Sequence, residues 1–223
     1  METNRKTGII IGILYIIGTV SGILSGLLTR FPSDYFSRIA AAHYQFTLGA
    51  LFILIMGFSL ALIPIILYPI LKKQNKILAL GYVVFRGALE TFTYITLFIS
   101  VMLLLKLGQH YAGNDNAQSL DNASFLVTKF HDLNMLIVCF VFSIGALLFY
   151  TLLYQSKLIP RWLSVWGIIA IVLHLTTGFL ILFELQTEFS IPNMLMNFPI
   201  FLQEMVMAVW LIIKGFNLEF INN

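Results

Sequence analysis

The chain has 223 residues, 59% hydrophobic and only 10% charged, with a formal net charge of +3 and a mean hydropathy of +0.92. Soluble domains carry about 25% charged residues, and a soluble fold of this length has no means of hiding so much apolar surface, so the composition excludes one. The small positive charge is no nucleic-acid footprint and reads as a topology signal, while a single cysteine, Cys139, excludes an intrachain disulfide and any multi-cysteine metal site.

Six apolar runs are each long enough to cross a hydrocarbon core that needs about 20 residues. They cover Gly8–Leu28, Phe46–Leu71, Ile77–Leu105, Met135–Tyr154, Leu163–Phe183 and Met194–Ile213. The runs are continuous rather than alternating, which predicts helices and not barrel strands. The first follows Arg5 and Lys6 but exceeds a signal peptide's apolar region and lacks an Ala-x-Ala site, so it is expected to stay as an anchor and first span. It carries Gly8, Gly12, Gly18, Gly22 and Gly26 at small-xxx-small spacing. That spacing suits close packing within the bundle or a homo-oligomer contact through span one. Pro64 and Pro69 in span two and Pro199 in span six each remove a helical hydrogen bond and are expected to kink their helices.

The turns between spans two and three and between four and five are short and basic. Arg5, Lys6, Lys72, Lys73, Lys76, Lys157, Arg161 and Lys214 fall on one side, against Arg30, Arg38, Lys106 and Lys129 on the other. The positive-inside rule then places both termini in the cytoplasm. Pro160 fits an early position of helix five. The opposite loops are longer, and spans two and four are expected to begin outside the membrane, capped by Ser33 or Asp34 and by Asp121 or Asn122. The sequence thus describes one integral-membrane domain over residues 1–223, an all-α polytopic bundle of six transmembrane helices.

Three charged residues interrupt the apolar runs: Arg86, Glu90 and Glu204. An ion near the bilayer centre costs roughly 2.5–3.5 kcal/mol on insertion scales, so such residues usually pair. At 1.5 Å per residue, Arg86 and Glu204 each lie about 15 Å from the basic boundary, at the midplane of a ~30 Å core. Glu90 and His174 lie about one turn further out. The expected cluster has Arg86 bridging Glu90 and Glu204, with Gln203 and His174 nearby. It serves either as a clamp between helices three and six or as the floor of a ligand- or proton-accessible cavity. His43, His131 and Asp132 offer metal-ligand chemistry, but the same arithmetic puts them at the outer interface, about 20 Å from His174. They form a separate candidate outer metal site, and residues 43 and 131–132 otherwise read as polar helix ends. Tyr44, Trp162, Trp166 and Trp210 read as interfacial or lipid-facing aromatics. No phosphate loop, Ser-His-Asp order or HExxH motif is present, so nothing calls for a cofactor.

The segments Leu-Tyr-Pro-Ile-Leu (67–71), Val-Val-Phe-Arg-Gly-Ala-Leu-Glu (83–90), Tyr-Gln-Ser-Lys-Leu-Ile-Pro-Arg-Trp-Leu (154–163) and Glu204 followed by Ala-Val-Trp-Leu-Ile-Ile-Lys-Gly (208–215) carry a family resemblance. Taken together over nearly the whole chain, they resemble a bacterial multi-spanning membrane family, the domain-of-unknown-function family 4386. The resemblance implies the bacterial cytoplasmic membrane as location and supplies no activity. Membrane lipid is the expected partner, and nucleic acid is not. The functional expectation is binding or movement of a small molecule or lipid at the Arg/Glu cluster. An intramembrane acid/base or metal-dependent hydrolase-like enzyme and a structural or immunity-type membrane protein are the alternatives.

Overall fold

Each predicted span is a helix in the computed structural model, which describes residues 2–29, 42–111, 117–188 and 190–217. Helix α1 is Glu2–Leu28 and α2 is His43–Leu71. Helix α3 runs in three parts, Lys76–Tyr82, a π-helical segment Val83–Leu89, and Glu90–Tyr111. Helix α4 is Ala117–Ser156, α5 is Arg161–Leu182 and α6 is Ile191–Lys214. All six are long and apolar enough to cross a membrane, and no strand occurs among the described residues.

The helices form a ring in sequence order. Each packs against its chain neighbours, and α6 closes the circle against α1. Across the ring, backbones make at most marginal contact, so side chains fill the interior. Buried residues from all six helices join in one core, among them Ile11, Ile63, Val101, Leu152, Ile171 and Leu211. The outer surface is apolar too, with Ile65, Phe92, Ile169 and Leu195 more than half exposed. In water that surface would be a large liability, but against lipid tails it costs nothing. The buried polar side chains lie inward, as a bilayer requires.

Close approach between helices depends on small residues. A Cβ on Gly12 would stand 2.6 Å from the Ala208 carbonyl oxygen, and one on Gly8 would stand 2.8 Å from the Gly215 Cα. Gly18 and Gly22 meet Leu60 and Met56 of α2 in the same way. The glycine stripe thus seats α1 against α6 and α2, while Gly26 faces open space.

The ends follow local chemistry. Asn75 caps α3 by accepting from the backbone N–H groups of Ile77 and Leu78, at 3.0 and 3.1 Å. Ser190 caps α6 by accepting from Asn193 N–H. Pro160 is the residue before α5, with Arg161 the first helical one. Helices α2 and α6 continue through Pro64, Pro69 and Pro199. Asp121 and Asn122 do not cap α4: the helix is already under way from Ala117. Polar composition alone did not break it, because 40 residues (about 60 Å) let the helix project well past a ~30 Å core. Ser33 and Asp34 lie outside the described residues.

Candidate functional site

The site begins with an irregularity in α3. Residues 83–89 wind with i→i+5 bonds, and the Glu90 N–H donates to the Phe85 carbonyl. Such a segment inserts an extra residue into the helical path, and π-turns often mark functional positions. Arg86 sits within it, 2% exposed, and Glu90 follows it, fully buried. Gly145 of α4 makes room: a Cβ there would stand 2.6 Å from Arg86 Cγ and 3.2 Å from the Arg86 backbone nitrogen.

The three intramembrane charges meet. Arg86 Nη1 donates to Glu90 Oε1 at 2.9 Å, and Arg86 Nη2 lies 3.5 Å from Glu204 Oε1 on α6. Glu90 Oε1 also accepts from the Tyr94 hydroxyl at 2.9 Å. Its other oxygen, Oε2, is buried with no hydrogen-bond partner. Glu204 keeps 14% of its side-chain surface exposed. With all three groups ionised the cluster carries one net negative charge, so one proton or one cationic group would balance it.

The two other residues predicted here sit beside the cluster, with partners of their own. Gln203 is fully buried, accepts from the Tyr150 hydroxyl at 2.5 Å and donates to the Leu163 carbonyl at 3.1 Å. It ties α4, α5 and α6 together. His174 is separated from Arg86 by the Phe142 ring. The guanidinium lies 4.4 Å from that ring's centre, a cation–π contact, and the imidazole meets it edge-on at 5.0 Å.

Two polar tracks lead from this level toward the end of the ring opposite the termini. In the first, His174 Nδ1 pairs with Asn197 Oδ1 at 2.5 Å, and Asn197 donates to Asn193 Oδ1 at 3.0 Å. Asn193 in turn donates to the Glu188 carbonyl oxygen. That track ends beside a cleft of about 550 Å³ lined by Lys129, Asp132, Glu184, Gln186 and Glu188 among others. There, burial and the nearby Asp132 charge push the Glu188 carboxyl up to about 7. The second track lies between α3 and α4. Asn134 donates to the Thr93 carbonyl at 2.9 Å and accepts from Thr96, and Ser100 pairs with His131 Nδ1 at 2.8 Å.

The candidate outer metal set does not assemble. His131 bonds Ser100, Asp132 pairs with Lys129 at 3.6 Å, and the His43 ring lies tilted against that of Tyr44. No group of three or more metal-ligating side chains occurs among the described residues. The depth arithmetic put these residues at one level, but a shared level does not bring different helices together around the ring.

Several site residues carried weaker signals in the sequence. Tyr82, Arg86, Glu90 and Tyr94 recur every four residues, the spacing of one helix face, and that repeat was readable. Tyr15 and Tyr82 are fully buried, and Tyr82 stacks on Phe149 at 4.5 Å. Tyr15, Phe142, Gly145 and Asn197 are indistinguishable in sequence from ordinary span residues.

Residues 10–215 match the family described as a domain of unknown function, DUF4386. The chain belongs to that family. The DUF4386 match runs from early α1 to Gly215 just after α6, and so takes in part or all of each helix and every residue of the cluster. No curated protein and no solved structure matches the chain significantly.

Proposed function

We propose that this DUF4386 protein binds or moves a small polar molecule or the polar part of a lipid, held at Arg86, Glu90 and Glu204 inside the six-helix ring. The observation that carries this reading is the hydrogen-bonded track from His174 through Asn197 and Asn193 to Glu188 at the cleft. A clamp between α3 and α6 needs only the ion pairs. It does not need amides leading from the bundle's middle to its surface, each costly to bury in an apolar bundle. The orphaned Glu90 Oε2 and the residual exposure of Glu204 support the reading further, as a partner's donor would satisfy the first and approach along the second. The protein sits in the bacterial cytoplasmic membrane with both termini inside, in keeping with the basic turns and the family resemblance.

The test is to purify wild type and Glu204→Gln side by side and identify bound small molecules and lipids by mass spectrometry. The expected result is a species that accompanies wild type and is depleted at least tenfold from the variant. Identical bound species in two equally folded preparations would remove the reading and leave the clamp.

A further inference from the structure

A second cleft lies at the opposite end of the ring from the first, at the basic turns. It measures about 610 Å³ and is lined by residues 157–161 and 214–217 together with Trp210. Of the described residues that line it, three are cationic, Lys157, Arg161 and Lys214, and none is acidic.

The local fold holds these cations in place. Gly215 ends α6 with φ at 70°, and the Asn217 N–H donates to the Leu158 carbonyl at 2.9 Å. That bond ties the segment after α6 to the turn between α4 and α5. Lys157 occupies the left-handed region, φ 53°, which disfavours residues other than glycine. The Arg161 guanidinium lies 5.1 Å from the Tyr154 ring centre, leaving its N–H groups directed by that stack. Helix α5 starts at Arg161 with no side-chain cap, so its first N–H groups and positive dipole end add to the field. Trp162 is half exposed and Trp210 lines the cleft, which sets the cleft at headgroup level, where tryptophan concentrates.

We propose that this cleft is a phosphate-binding site, in which Lys157, Arg161, Lys214 and the start of α5 hold the phosphate of an anionic phospholipid headgroup or of a soluble phosphate compound. Basic pockets between membrane helices on the cytoplasmic side take such headgroups, and an uncapped helix start suits the same anion. This site is independent of the Arg86 cluster.

The test uses native mass spectrometry of the detergent-solubilised full chain with added phosphatidylglycerol, phosphatidylcholine or inorganic phosphate. Arg161→Gln and Lys214→Gln are compared with Lys72→Gln/Lys73→Gln, which neutralises the basic turn between α2 and α3, away from the cleft. Lys214 is exposed, so its substitution leaves the packing intact if Arg161→Gln should fail to fold. Wild type should retain phosphatidylglycerol in preference to phosphatidylcholine. Each cleft variant should lower that retention about fivefold, the equivalent of about 1 kcal/mol per cation, and the control should not. Displacement of the lipid by millimolar inorganic phosphate would assign the site to soluble phosphates. Resistance to it would assign the site to the headgroup. Equal loss in the control and the cleft variants, or no preference for the anionic lipid, would overturn the proposal.

Discussion

Replacing Arg86 with Met tests the reading of the central cluster most directly. At an effective dielectric of about 20, the guanidinium attracts carboxylates at 2.9 and 3.5 Å by about 5–6 kcal/mol each. Desolvation of the three ions offsets most of that gain, since each buried ion costs several kcal/mol. Removing only the arginine deletes the attraction and leaves the desolvation. Glu90 is then fully buried, with Tyr94 as its one remaining side-chain partner. The expected loss is about 3–5 kcal/mol. The charge-free triple variant Arg86→Met/Glu90→Gln/Glu204→Gln removes attraction and penalty together and should return to within about 2 kcal/mol of wild type. Denaturation in mixed detergent micelles, followed by far-UV circular dichroism, measures both. A loss below about 1 kcal/mol for the single variant, or a triple variant no more stable than it, would refute the account. Recovery in the triple variant would also mean that the fold does not need these charges, which leaves function as the reason for them.

Two further outcomes follow from the geometry. Gly145→Ala places a methyl against both the Arg86 stem and its backbone nitrogen, so a swing of the side chain cannot relieve it. The expected cost is about 1–3 kcal/mol, and thermal unfolding within 0.5 °C of wild type would show that the π-helical segment adjusts freely. Because the Glu188 carboxyl is pushed up to about 7 from an ordinary value near 4.5, the folded state favours its neutral form. The stability this contributes is complete below pH about 4.5 and lost as pH rises through about 7. Glu188→Gln should flatten that part of the pH–stability profile, and an unchanged slope would place the titration elsewhere.

The sequence by itself determined the class, the six helices and the shared level of Arg86 and Glu204. In a bilayer, backbone hydrogen bonds must close within each span, so span length and apolarity dictate the helix almost alone. Depth then follows from a fixed rise per residue, which is why Arg86 and Glu204 could be placed at one level before their 3.5 Å contact was seen. Direction around the helix axis was not legible. With lipid and protein interior both apolar, the spans lack the amphipathic contrast that orients a helix in a soluble protein. The tertiary structure alone decided that α6 closes on α1, that Gly145 admits Arg86, and that Phe142 stands between Arg86 and His174. It likewise decided that His43, His131 and Asp132 do not gather into a metal-ligating group. Each of these depends on which face of a helix meets which neighbour, and an almost uniformly apolar run does not encode that locally.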